Sequence, residues 1–208
     1  MRFAAVLLLA FALGAVVAVV WLERRASWLS SIDFRVAYPD VPVEVTTAVR
    51  EAELAYYNSL SQPRRAIEAA QDILTFAAPS VTFAFNFSVG PYRIKAATID
   101  ELIPWAMDNG YLQIIDAPAS HARQSIAYFA EQPALADWGA AVILERLRRR
   151  HPLLRERPWG EIADQPMLVA KLYSGYMGAG GDWALWERDL VPGPEALRRL
   201  KLSKGEAQ

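Results

Sequence analysis

The chain has 208 residues, 53% of them hydrophobic and 22% charged, and its 22 basic and 23 acidic side chains leave a formal charge of −1. That balance implies no single-signed surface and argues against a nucleic-acid binder. The lack of any cysteine excludes a disulfide framework and a lipid-modified cysteine.

From Phe3 to Leu22 run twenty residues without a charge, and at about 1.5 Å per residue this matches a hydrocarbon core of roughly 30 Å. Residues 1–25 are therefore read as an uncleaved transmembrane anchor. A cleaved secretory signal is the competing reading, but its apolar region usually spans only about 7–15 residues. Arg2 on one side and Arg24 and Arg25 on the other leave the orientation nearly balanced. Ala26 to Tyr38 shows no clear period, so residues 26–40 read as a membrane-proximal linker.

The folded part is expected over 41–202. Asp40 and Pro42 start a helix whose Val45, Val49, Ala52 and Tyr56 share a face. Ser61 and Pro63 start a second, with Ile67, Ala70, Leu74 and Ala77 as its buried stripe. Val81 to Val89 alternates with period two, which argues for a short strand or hairpin, and Gly90-Pro91 forces a turn after it. Thr98 and Glu101 have capping-box spacing, so a helix is expected from Ile99 to Asp108, ending at Asn109-Gly110. Residues 111–123 read as a connection and 124–130 as a short helix.

Ala134 to Arg150 is expected as a helix with Leu135, Trp138, Val142 and Leu144 on its apolar side. Arg146, Arg148, Arg149 and Arg150 form a basic C-terminal end, read as a solvated face with contact to anionic lipid or glycan as the alternative. His151-Pro152 breaks the helix. Neither His121 nor His151 has the neighbours a metal site or a catalytic pair requires, and no cofactor is expected. Asp164 and Pro166 open a helix reaching Tyr173, Asp182 begins a short one, and Pro192-Gly193-Pro194 precedes a basic helix from Glu195 to Leu202. Residues 203–208 are expected to be a disordered tail.

Two segments carry a resemblance. Ser88-x-Gly90-Pro91-Tyr92-x-Ile94-Lys95-x-x-Thr98 resembles the Ser-x-Gly-x-x-Gln-Ile-x-x-x-Thr segment of the soluble lytic transglycosylase and goose-type lysozyme family. Downstream, Ala140 to Leu144 followed by Leu168 to Gly175 is similar to that family's buried helix and its Ala-x-Tyr-Asn-x-Gly motif. The resemblance covers roughly residues 64–186. It implies a mainly α, lysozyme-like domain with at most a small β element near 81–95, and a soluble domain on the periplasmic or extracellular side of a single-pass anchor. The implied partners are peptidoglycan glycan strands. It also implies a cleft on which Ser88, Gly90, Tyr92, Arg93, Tyr173 and Gly175 converge.

The family's catalytic acid is a glutamate at the C-terminal end of the helix before the Ser-x-Gly segment. Here that neighbourhood, Leu74 to Phe83, holds no acid, Arg93 replaces the family's glutamine, and Ser174 replaces its asparagine. Loss of a general acid forfeits about 10²–10⁴ in rate. The expectation is therefore a membrane-anchored envelope protein that contacts peptidoglycan with weak or no glycan cleavage, its catalytic residue unknown. Two alternatives stand beside it: an active lytic transglycosylase using a displaced acid such as Asp72 or Glu101, and a non-catalytic scaffold docking on other envelope proteins.

Overall fold

The computed structural model describes residues 34–77, 82, 84–115, 133–178 and 191–205. The expected anchor, the short helices expected at 124–130 and after Asp182, and residues 206–208 of the expected tail lie outside these residues. No described helix is long and apolar enough to cross a membrane.

The described chain is mainly helical, with α1 (Val43–Ser59), α2 (Gln62–Ala77), α3 (Ala96–Asp108), α4 (Pro133–Arg150), α5 (Trp159–Ala163), α6 (Pro166–Met177) and α7 (Pro194–Ser203). Four short strands, β1 (Phe34–Val36), β2 (Ser88–Val89), β3 (Ile94–Lys95) and β4 (Leu112–Ile114), form two antiparallel pairs, β1 with β4 and β2 with β3. The organising element is α4. From Ala140 to Glu145 every residue is buried, as expected of a helix apolar around most of its circumference. Val142, Leu144 and Leu147 are fully buried, each worth about 1.5–3 kcal/mol over an exposed side chain. Helices α1, α3 and α6 pack around it, and α7 closes over α1 and α6.

Helix α1 follows its period. Val45, Val49 and Ala52 are buried as expected, with Thr46 and Glu53 beside them, while Tyr56 is half-buried. The end of α3 also agrees: Gly110 takes φ +75, and the amides of Gly110 and Tyr111 donate to Met107 O and Ala106 O at 3.1 and 2.8 Å. This is the crossed pair of bonds that a left-handed residue allows at a helix end.

Elsewhere the structure corrects the sequence. The last part of the expected linker is strand β1, and the expected connection after Gly110 contains β4, paired in the register Phe34↔Ile114, Arg35↔Gln113 and Val36↔Leu112. Phe34, Val36 and Ile114 pack on the core, which holds these three-residue strands in place. The alternation before Gly90 is not one strand: Phe85 and Asn86 form a turn, and among the described residues of this stretch Ser88–Val89 pairs, with Ile94–Lys95 across a Gly90–Arg93 turn.

The capping box does not form as read. Helix α3 begins at Ala96, with Lys95 at its cap. The Ala96 amide donates to Phe87 O at 3.0 Å and the Ala97 amide to Asn86 Oδ1 at 2.9 Å, so the preceding segment satisfies the first turn. Glu101 instead pairs with Arg146 at 3.2 Å.

Helix α2 is turned the other way round from its expected orientation. Ile67 is 58% exposed and Leu74 37% exposed, and Ala70 is exposed too. The polar side faces inward: Arg93 binds Glu68 and, at 2.7 Å, Asp72, and the Thr82 hydroxyl donates to Thr75 Oγ1 at 3.2 Å. Two charge-assisted bonds to the half-buried Arg93 guanidinium draw this side of the helix inward.

The arginines closing α4 are likewise structural. Glu145 is 3% exposed and accepts from Arg148 Nε and Nη2 at 2.9 Å, Arg149 Nε at 2.6 Å and Trp159 Nε1 at 2.8 Å. Arg148 Nη1 also donates to the carbonyls of Arg155 and Arg157, holding the loop that leads to α5. Arg146, Arg148 and Arg149 thus tie the domain together, in place of the expected solvated face or lipid contact.

Candidate functional site

A cleft of about 180 Å³ opens between α1, the β2–β3 hairpin and the last two described helices. The hairpin supplies Ser88, Arg93 and Lys95, α6 supplies Tyr176 and Met177, and α7 supplies Arg199. From α1 come Glu53, Tyr56, Tyr57 and Leu60, and Glu68 of α2 closes one edge.

Glu53 is placed by helical spacing. It lies four residues after Val49 and one after Ala52, both buried, so its side chain falls on the inner edge of α1. It is itself 3% exposed. Its Oε1 accepts from the Tyr173 hydroxyl at 2.6 Å, and Arg199 Nη1 donates to Oε1 and Oε2 at 3.1 and 3.0 Å. Burial pushes the carboxyl above its ordinary value, and the bonds from Tyr173 and Arg199 offset that only in part. The Arg199 guanidinium also lies 3.6 Å from the Tyr56 ring centroid and pairs with Glu195 at 3.0 Å.

The hairpin brings two more cations. Arg93 sits at φ +51, a conformation unusual for a side chain larger than glycine, and it holds both acids of α2. Lys95 has no ion-pair partner among the described residues. Its pKa is lowered by burial and by the neighbouring positive charges of Arg93 and Arg199.

Of the six residues expected to converge, the structure brings Ser88 and Arg93 to the cleft. Gly90 and Tyr92 line a separate apolar space of about 30 Å³ between the hairpin, α3 and α4. Tyr92 is 1% exposed, and its hydroxyl donates to Asp137 Oδ1 at 2.6 Å. Tyr173 is fully buried and reaches the site only through its hydroxyl on Glu53, while Gly175 is buried within α6. The turn and the late helix touch behind the cleft, where the Tyr176 hydroxyl donates to Tyr92 O at 2.8 Å.

Sequence reasoning missed Glu53, Tyr56, Tyr57, Lys95, Tyr176 and Arg199. For Glu53 a signal existed, because an acid on the apolar stripe of α1 demands a partner. Of the displaced acids considered, Asp72 is bound by Arg93 and Glu101 by Arg146, and neither lines the cleft. No group of three or more His, Cys, Asp or Glu among the described residues is arranged to hold a metal. Comparison of the chain with protein-family models, curated proteins and solved structures finds no match.

Proposed function

We propose that this is a lysozyme-like domain working on the glycan of peptidoglycan at the outer side of a membrane, with Glu53 as the displaced acid. The carrying observation is one carboxyl, buried, with a raised pKa, facing a cleft walled by tyrosines and cations. A protonated Glu53 gives its proton to the glycosidic oxygen as the carbon–oxygen bond breaks. The resulting carboxylate then takes a proton from the hydroxyl that attacks the anomeric carbon, returning to its first state. Arg199 stabilises the anion formed between the two steps, and Tyr173 fixes the carboxyl's orientation from behind. The half-buried ring of Tyr57 offers a flat apolar face with a polar edge, which suits a pyranose, while Arg199 stacks on the ring of Tyr56.

One observation favours a second reading, binding without cleavage. Arg199 touches both carboxyl oxygens, which holds Glu53 toward the anion and away from the acid form. Purified peptidoglycan incubated with the full chain in mild detergent separates the readings. The expected result is release of soluble glycan fragments that Glu53→Gln abolishes, with both proteins still sedimenting with the polymer. Release that survives Glu53→Gln removes Glu53 from the chemistry. No release, but sedimentation that Arg93→Ala weakens, leaves the binding reading, and no sedimentation leaves the scaffold that docks on envelope proteins.

A further inference from the structure

The outward apolar face of α2 remains unexplained by the cleft. A helix on a water-soluble domain normally turns its apolar stripe to the core; here Ile73, Ile67 and Leu74 are 69%, 58% and 37% exposed, and Ala66 and Ala70 between them are exposed as well. The turn that follows adds Phe85 at 70%. From Ala66 to Leu74 the helix presents this face along about 13 Å.

Its charges are asymmetric. Both acids of α2, Glu68 and Asp72, are drawn to Arg93 on the inner side. Arg64 and Arg65 of the first turn have no ion-pair partner among the described residues. Arg64 and Arg65 precede Glu68 by four and three residues and so share its polar side, which leaves the outer side apolar and uncharged, the kind of face that an interfacial helix buries among acyl chains.

Read as an anchor, the uncharged N-terminal run places such a surface nearby. The uncharged run Phe3–Leu22 ends eleven residues before β1 begins at Phe34, and eleven extended residues reach at most about 40 Å. We propose that α2 docks its Ile67, Ile73 and Leu74 face into the bilayer that holds the N-terminal run, so that the domain meets the membrane at a second point. This placement does not depend on what the cleft does. Arg93 then has two tasks: it lines the cleft and it keeps the polar face of α2 inward, which sets the cleft at a fixed height above the lipid.

The lack of native cysteines allows a direct test. Ile73→Cys and, separately, Ile67→Cys in the full chain are labelled with an environment-sensitive fluorophore and reconstituted into phosphatidylethanolamine–phosphatidylglycerol vesicles. Glu161→Cys, at an exposed site on α5, is the control. All three positions are exposed, so the substitutions leave the core intact, which far-ultraviolet circular dichroism verifies. The expected result is a blue shift at positions 73 and 67, with loss of fluorescence when nitroxide-bearing lipids are included, and neither effect at 161. Emission at 73 and 67 matching that at 161 would overturn the proposal by placing the face in water. A blue shift without nitroxide quenching would overturn it too, because a protein surface, a second copy or another segment of this chain, would then cover the face.

Discussion

Replacing Arg199 by methionine tests the buried centre of the cleft most sharply. The substitution keeps an unbranched apolar stem, two atoms shorter, and removes the charge. In the native protein the guanidinium bonds both oxygens of a carboxyl that is 3% exposed, and removing one partner of a buried pair costs about 3–5 kcal/mol. Loss of its contact with Tyr56 at 3.6 Å adds about 0.5–2 kcal/mol.

The larger part of this cost must depend on pH, and its sign follows from the direction of the Glu53 shift. In the native protein that carboxyl already titrates above its ordinary value of 4.5, so between the two values the folded state binds more protons than the unfolded one, and stability falls as pH rises. Without Arg199 the folded value climbs further. From the native folded value up to the variant's, the variant loses about 1.4 kcal/mol per pH unit more than the native chain, and above both values the cost is constant. Urea unfolding in mild detergent, followed by tryptophan fluorescence, is therefore expected to give the full cost at a pH above both folded values and only the packing remainder below the native folded value. Adding Glu53→Gln to Arg199→Met should recover part of the loss at high pH, since no buried anion then remains. A cost below about 1 kcal/mol at high pH, or one that does not change with pH, would refute the reasoning and make Glu53 an ordinary solvated pair.

Glu145→Ala strands the donors of Arg148, Arg149 and Trp159 and should cost about 3–5 kcal/mol in urea unfolding. Burial raises the pKa of Glu145, but bonds from Arg148, Arg149 and Trp159 overcome this and hold it below the usual range. Its contribution is thus present above the usual carboxylate range and lost as pH falls through the lowered value, so the cost of the substitution shrinks in acid. Asn86→Ala removes the bond to the Ala97 amide and puts alanine at φ +50, which should lower the unfolding midpoint by the equivalent of about 1–2 kcal/mol. Ile67→Ala should change stability by no more than about 0.5 kcal/mol. A loss of about 2–5 kcal/mol, the range for a buried isoleucine, would contradict the outward orientation of α2.

The helices were legible where local chemistry and tertiary packing agree. Proline at the starts of α1, α6 and α7, glycine after α3 and the apolar run of α4 each carry their own physical reason for being there. The β1–β4 pair was not legible, because three-residue strands far apart in sequence carry no period of their own, and long-range packing decides them. In α2 the period was read correctly and its orientation wrongly. The side that faces inward is set by Arg93, which lies beyond the helix in sequence and reaches it through a backbone angle that nothing in its residue type announces. The apparent capping box before Glu101 failed for a related reason: Asn86 and the Phe87 carbonyl, brought in by the hairpin, reach the first turn of α3.

The misplaced tyrosines show why a motif can find the walls of a site and miss its lining. A buried tyrosine must satisfy its hydroxyl. Tyr173 does so on Glu53, whereas Tyr92, whose ring packs under the turn, donates to Asp137 outside the cleft and presents its carbonyl to Tyr176, a ring that does line the space. Both expected tyrosines stand one layer behind the surface and hold it in place. Glu53 was legible through the same reasoning run in reverse: an acid at a core-facing position of α1 needs a donor, and Tyr173 and Arg199, far away in sequence, supply it.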